Sequence, residues 1–301
     1  NDCNMKKIFY IIALGVGLAG CSNNEDELLS TGSFPEDHVI RIITEVNEPL
    51  SRAGYDVTNL ERFGLMIRNS ENAAYNYHKQ MVSSGNAWST SDGQQMLWDA
   101  ERTPVTMIAY APYMSEAAPD ASLAVNALTN QTTEENVKSS DFLLMKATVD
   151  PEQDLTADGK LKISLSHAMS KLLIKITVNG TTDAAMNKLG DMSINGAVVN
   201  GICDLSATVP IVVPAPDAVV ATVAPYKGTE SCECILPPQK IAEGFSVNFS
   251  YDGKLYIWTA EEAIELEKGV EHTLTLNVNT TVRLAAKMAR NWATGQLIDR
   301  N

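Results

Sequence analysis

Apolar and polar residues alternate with a period of two through most of this chain. Ile40, Ile42, Thr44 and Val46 fall on one face of an extended segment, with Arg41 and Glu45 on the other. Phe63, Leu65 and Ile67 alternate with Gly64, Met66 and Arg68, and Leu161, Ile163 and Leu165 with Lys160, Lys162 and Ser164. Further on, Phe245, Val247, Phe249 and Tyr251 alternate with Ser246, Asn248 and Ser250, and Leu274, Leu276 and Val278 with Thr273, Thr275 and Asn277. Successive side chains of a strand point to opposite faces of a sheet, so this pattern predicts strands with one buried face. Residues 105–113 are β-branched and aromatic and predict another strand, with Pro112 near its end. Asp252-Gly253 predicts a two-residue hairpin turn into Leu255, Tyr256, Ile257 and Trp258. Residues 129–140 and 210–225 are polar or Pro-rich and predict loops; 184–189 predict a short helix with Asp183 as its cap.

One interruption of the pattern is informative. Between 160 and 166 the apolar positions are odd-numbered, whereas Leu172, Ile174, Ile176 and Val178 are even-numbered. A change of parity flips the face that is buried. Either a bulge lies at His167-Ala168-Met169-Ser170, or the chain passes there from one sheet to another. We read the place as a junction between an N-terminal domain, 38–168, and a C-terminal domain, 169–301.

The N-terminal residues follow a different pattern. Met5 is followed by Lys6 and Lys7, then by twelve almost wholly apolar residues, 8–19. Twelve residues are too few to span a bilayer core, which takes about 20, but they suit the h-region of a secretory signal. The run closes on Leu18-Ala19-Gly20-Cys21, which resembles the bacterial lipobox, in which small residues seat a peptidase and the cysteine thiol carries a diacylglycerol. Residues 5–20 are therefore expected to be a lipoprotein signal peptide, Cys21 the lipidated residue and membrane lipid its partner. Residues 21–37, with Glu25, Asp26 and Glu27, are expected to form an acidic tether.

Charge and chemistry narrow the function classes. The chain carries 23 Lys and Arg against 37 Asp and Glu, a formal charge of −14. Without Asp2, Lys6 and Lys7 the balance becomes 21 against 36. Such an acidic chain is a poor partner for nucleic acid, whose phosphates require Lys and Arg. Past Cys21 the cysteines are Cys203, Cys232 and Cys234, an odd number that closes at most one disulfide. The four histidines, His38, His78, His167 and His272, have no metal-ligand spacing, and neither a nucleophile elbow nor a phosphate-binding loop occurs. These features point to no enzyme and imply no cofactor. Trp88, Trp98, Trp258 and Trp292 are scattered, and a sugar-stacking platform built from them would define a surface glycan-binding lipoprotein.

Several segments, in order along the chain, resemble the fimbrillin-like proteins of Bacteroidales, subunits of protease-assembled pili. They are Leu50-Ser51-Arg52-Ala53-Gly54, Phe63-Gly64-Leu65-Met66-Ile67, Ala109-Tyr110-Ala111-Pro112-Tyr113, Leu165-Ser166-His167-Ala168-Met169-Ser170-Lys171-Leu172, Ile235-Leu236-Pro237-Pro238-Gln239 and Tyr256-Ile257-Trp258. The resemblance implies an all-β fold of two tandem transthyretin-like β-sandwich domains. It also implies a structural subunit of a cell-surface fimbria (stalk, tip or anchor) with a role in adhesion, lodged in the outer membrane as a lipid-anchored precursor. Its partners would be other fimbrial subunits, in a homo- or heteropolymer, an arginine-specific surface protease, and a glycan or protein receptor.

In the family, cleavage after an N-terminal arginine removes the first strand, and a neighbour's C-terminal segment fills the groove. Carried over residue by residue, Arg52 and Ala53 flank the cleaved bond, and the removed strand holds Val39, Ile40, Ile42 and Val46. The donor lies within 280–292, where Val282, Leu284, Ala286 and Met288 alternate with Arg283, Ala285, Lys287 and Ala289. That segment is rich in Ala, Met, Lys and Arg and reads equally as a helix.

Overall fold

A computed structural model describes residues 33–46, 54–56, 58–84, 87–178, 185–278 and the backbone of 283–291. Its strands are β1 Arg41–Val46, β2 Arg62–Asn69, β3 Tyr77–Ser84, β4 Ala87–Thr90, β5 Val105–Ala111, β6 Ser122–Asn126, β7 Leu143–Val149 and β8 Lys160–His167. There follow β9 Ser170–Thr177, β10 Leu189–Val198, β11 Asn200–Asp204, β12 Val212–Pro214, β13 Val220–Val223, β14 Tyr226–Lys227 and β15 Cys232–Leu236. The last are β16 Gln239–Ile241, β17 Ser246–Tyr251, β18 Lys254–Thr259, β19 Ile264–Leu266, β20 Val270–Asn277 and β21 Arg283–Asn291. The fold is all-β, and the described residues form one compact unit.

Seven strands form one sheet in the order β1-β8-β7-β5-β2-β3-β4. Beyond His167 the main sheets are β13-β10-β17-β18 and β14-β15-β9-β20-β21. The change of parity marks the crossing. Ala168 N–H donates to Phe142 O of the first sheet's surroundings (2.8 Å), and Gly269 N–H donates to Met169 O beside β20 (2.8 Å). Strand β6 reaches across, pairing with β11 in a three-stranded sheet completed by β12.

Two apolar clusters fill the fold. Phe63, Leu65 and Ile67 of β2 and Met107 and Ala109 of β5 belong to the first, together with Ile40, Ile42 and Val46. Met66, Ile108, Tyr110 and Leu144 belong to the second, with Leu172, Ile174 and Val247. From Phe63 to Ile67 of β2 and from Met107 to Ala111 of β5 both faces are thus buried, which explains the apolar run of β5.

Tyr110 needs room on its face. It stands opposite Gly64 across β5 and β2, and a Cβ built on Gly64 would lie 2.3–2.6 Å from the tyrosine ring. Tyr110 is fully buried, donating its hydroxyl to Met114 O (2.8 Å) and bonding the His78 Nε2 (2.7 Å). Gly64→Ala is therefore expected to cost about 1–3 kcal/mol by overpacking. The measurement is the shift of the urea midpoint; an unchanged midpoint would show that the ring moves freely.

Two stretches expected as loops contain regular structure. Within 129–140, Glu134–Ser139 forms a helical turn, α1. Its N-cap is Thr133, whose hydroxyl accepts from Asn136 N–H at 3.2 Å. The acidic first turn, Glu134 and Glu135, complements the helix N-terminus. Within 210–225 the short strands β12 and β13 pair with β11 and β10; their residues take an extended form because a neighbour supplies the ladder. Ala185–Lys188 is the short helix α2, and Asp183 lies outside the described residues. The hairpin at Asp252 and Gly253 has φ of 51° and 74°, as a tight β17–β18 turn requires.

Candidate functional site at the first strand

Strand β1 lies at a seam. On one side it pairs in parallel with β8, in a register that sets Arg41 against Lys160 and Val46 against Leu165. On the other, Val39 bridges Leu97, Ile40 N–H donates to Met96 O (2.9 Å), and Trp98 N–H donates to His38 O (2.8 Å). Trp88, on β4 at the far end of the same sheet, donates its indole N–H to the Thr44 hydroxyl (3.0 Å). The sheet curls until β1 spans the gap between its two ends, so this one strand closes the sandwich.

The inner face of β1 is the one the alternation identifies. Ile40, Ile42 and Val46 retain 7, 5 and 5% exposure. Val39, at the bridge to Leu97, is half-buried. Outward, Glu45 pairs with Lys162 (2.8 Å) and accepts from the Ser164 hydroxyl. Those two contacts, Lys162 first, hold its carboxyl below the usual range. Arg41 grips Asp37 with both terminal nitrogens (3.0 and 2.5 Å), and that bond, aided by Val39 N–H, lowers the Asp37 pKa to about 2. Such exposed pairs contribute little to stability. Burial holds the strand, and Glu45 ties its outer face to Lys162 and Ser164 of β8.

The chain is pinned again from Gly54 onward. Tyr55 N–H donates to Asp141 Oδ2 (3.1 Å), and the Asn59 side-chain amide donates to Gly54 O (2.9 Å). Asp56 N–H donates to Asn59 Oδ1, and Lys138 Nζ to Asn59 O, both at 2.9 Å. Burial first, then the Asp141 charge, pushes the Tyr55 hydroxyl up to about 12. Asp141 is itself buried, accepting from His167 Nδ1 (2.8 Å) and from Phe142 N–H (2.9 Å). Nothing in the linear pattern joins Asp141 to His167, because they lie 26 residues apart.

At the other end of the chain, β21 pairs antiparallel with β20 as the outermost strand of its sheet. Of the two readings of this segment, its backbone takes the strand. A register shift sets Leu284 opposite Leu276 but Ala286 opposite Thr275, and Met288 lies opposite Thr273. The simple alternation read from Leu284 to Met288 is interrupted there. Cys21, Arg52, Ala53, Val282 and Trp292 lie outside the described residues.

The residues that could carry other chemistry are built into the fold. Trp98 and Trp258 are core residues at 2 and 7% exposure, and Trp88 is half-buried with its ring edge-on to Phe63. His272 Nε2 accepts from Glu267 N–H (3.0 Å), and burial keeps the His78 pKa below its usual value. Among the described residues no three of His, Cys, Asp and Glu converge as a metal site would require. Cys203, Cys232 and Cys234 are free and buried. Burial pushes the Cys203 thiol up to about 11 and the Cys232 thiol to about 12, and raises Cys234 as well. Since the thiolate is the reactive form, all three are expected to resist iodoacetamide at pH 8 until the protein unfolds. Mass spectrometry of the native protein checks this, and labelling at any of the three before unfolding would contradict it.

Residues 51–291 match a family model described as fimbrillin-like. Among solved structures, a candidate cell adhesion protein of Bacteroides uniformis superposes with a TM-score of 0.64 at 17% identity, covering 86% of this chain and 99% of that one. A second, from Bacteroides ovatus, gives 0.63 at 18%, covering 83 and 96%. The tip fimbrial protein Mfa3 of Porphyromonas gingivalis, in a C-terminally truncated form, gives 0.51 at 9%, covering 84 and 99%. Among curated proteins none matches. At these identities the solved structures speak for the β-sandwich fold.

Proposed function

This chain belongs to the fimbrillin-like family, and we propose that it is a structural subunit of a cell-surface fimbria, assembled by exchange of its first strand. In this reading a lipid on Cys21 holds the precursor in the outer membrane, and a surface protease cuts between Arg52 and Ala53. Strand β1 then leaves, and the 280–292 segment of a neighbouring subunit takes its place. The domains 38–168 and 169–301 would follow one another along the fibre. Mfa3 is a tip protein, and a tip or anchor subunit would keep this fold while using one half of the exchange. Adhesion to a glycan or protein receptor would be its work at the surface.

One observation carries the reading: β1 closes the sandwich alone, between a link that contains Arg52 and a body pinned independently from Gly54. A cut in that link detaches β1 and spares the rest. The energetics suit replacement. Burying Ile40, Ile42 and Val46 contributes about 5–9 kcal/mol, at about 1.5–3 each. Fixing six backbone residues costs about 6–12 kcal/mol, at about 1–2 each. The near-balance, with ladder hydrogen bonds added, leaves β1 held firmly enough to fold and loosely enough to be displaced by another alternating strand. A head-to-tail contact of this kind does not close on itself and gives a fibre.

The test is to treat the full-length chain and its Arg52→Gln variant with an arginine-specific protease. The reading expects a new N-terminus at Ala53, loss of the β1 segment, and SDS-resistant ladders from the wild type alone. Clean cleavage at Arg52 with no ladder would reject the self-polymerising stalk and leave a tip or anchor. Retention of β1 by the cut protein in the presence of excess competing strand peptide would reject strand exchange altogether.

A further inference from the structure

The inner face of the first strand is aliphatic except at one place. Ile40, Ile42 and Val46 are buried, and Thr44, half-buried, falls between Ile42 and Val46 on the same alternation. Trp88 of β4 donates its indole N–H to the Thr44 hydroxyl at 3.0 Å. The groove around β1 owes neither this donor nor its walls to β1. Trp88 packs edge-on against Phe63, with ring centroids 4.7 Å apart and 75° between the planes, and Phe63 has no exposure. One wall, at 96–98, is pinned by the Tyr77 hydroxyl, which accepts from Leu97 N–H (3.1 Å) and donates to Leu97 O (3.2 Å). The other wall, β8, is tied to β7. All of these residues belong to the body past Gly54.

An indole N–H turned into an apolar groove costs free energy when it finds no acceptor there. We propose that Trp88 is a specificity-determining residue of this groove: of the extended segments that could lie beside β8, its N–H selects the one with a hydroxyl at the place of Thr44. This rests on the strand exchange described under the preceding heading and names the strand that fits. Such a strand is aliphatic, aliphatic, hydroxyl and aliphatic at alternate positions, as Ile40, Ile42, Thr44 and Val46 are. An aliphatic side chain in the third place would fill the space and leave the donor unpaired. The occupant is the 280–292 segment of a second copy, whose only hydroxyls are Thr280 and Thr281. Thr280 shares its alternation with Val282 and Leu284, whereas Thr281 shares its own with Arg283 and Lys287. The frame that Trp88 selects is therefore the one that brings Thr280 to the place of Thr44, with Val282 in an aliphatic seat beside it. Frames that bring Leu284 or Ala286 there leave the indole without an acceptor.

The first measurement needs no cleavage. In the full-length chain, hydrogen exchange at the amides of 41–46 is compared for wild type, Thr44→Val, Thr44→Ser, Trp88→Phe and the double variant Trp88→Phe with Thr44→Val, with β5 as internal reference. Thr44→Val should exchange at least ~5-fold faster, and Thr44→Ser within about twofold of wild type. In the Trp88→Phe background the added Thr44→Val should make no further difference, since phenylalanine has no donor to leave unpaired. Equal acceleration by Thr44→Val in both backgrounds would overturn the proposal, because a merely structural threonine behaves that way; no acceleration in either would overturn it too. The second measurement offers the protease-cut chain two peptides of the 38–46 sequence, one with Thr and one with Val at position 44. The Thr peptide should bind ~5-fold tighter, and Trp88→Phe should abolish the preference. Equal binding of both peptides to the wild-type groove would overturn the proposal. Thr280→Val should slow ladder formation by a similar factor in wild type and leave that of Trp88→Phe unchanged; an unchanged rate in wild type would overturn the frame. If the cut chain keeps β1 and takes neither peptide, strand exchange fails, while hydrogen exchange in the uncut chain still decides whether Trp88 reads position 44.

Discussion

Lys171→Met should lower the unfolding free energy by about 3–5 kcal/mol, the usual cost of removing one partner from a buried ion pair. Lys171 has no exposure to solvent, and Glu233 and Glu271 retain only 5 and 4%. Methionine fills much of the lysine's volume, so the loss would be electrostatic: Glu233, 3.0 Å from the ammonium, and Glu271, opposite Lys171 across β9 and β20, would stay in a dry interior without it. The desolvation of those carboxylates was already spent in folding and would no longer be offset. A triple variant that also carries Glu233→Gln and Glu271→Gln should recover a large part of the loss, because the repulsion is removed with the attraction. Urea unfolding of the three proteins, compared at equal slope, measures both effects. A loss under about 1 kcal/mol for Lys171→Met would mean that water reaches these charges and screens them.

Asp141→Ala is expected to cost at least about 3 kcal/mol, since each buried donor left unsatisfied costs roughly 1–3. Three donors converge on this carboxylate: Tyr55 N–H, Phe142 N–H and the His167 ring. Asp141→Asn should fall between alanine and wild type, since an amide offers one accepting oxygen where the carboxylate offers two. The effect should also be local. Tyr55 begins the segment that holds the body in place just past Arg52, so amide exchange should accelerate across 54–60 before it does in β5 or β7. In the proposed assembly the same variant should fray the N-terminus created by cleavage and weaken the hold on an incoming strand. Protection of 54–60 equal to wild type would assign the anchoring to Asn59 and Lys138 instead.

Both positions show where one-dimensional pattern stops being informative. The alternation around Lys171 reads as an amphipathic strand with lysine outward, and the shift of parity correctly marks the crossing between sheets. That β9 lies between β15 and β20, with both faces covered, is decided by strands some 60 to 100 residues further on. Gln131 makes the same point. Its side-chain amide donates to Ile235 O and accepts from Ile235 N–H, both at 2.8 Å, acting as a substitute strand neighbour for β15. An isolated glutamine in a polar stretch gives no hint of that.

The sequence by itself determined the strand content, the inner face of β1, the Asp252-Gly253 turn and the place where the chain leaves one sheet for the next. It also supplied the candidate motifs at Cys21 and Arg52, which in the proposed assembly enzymes would read as short linear patterns. These are local properties: a period of two, a backbone preference or a few consecutive side chains suffices. Only the tertiary structure decided that β1 closes the sandwich between β8 and β4, that β2 and β5 are buried on both faces, and that Asp141, His167, Lys171 and Glu233 are interior partners. Those outcomes depend on which distant strand lies alongside. A strand's own pattern states which residues avoid water; the neighbours that replace the water are supplied by the rest of the chain.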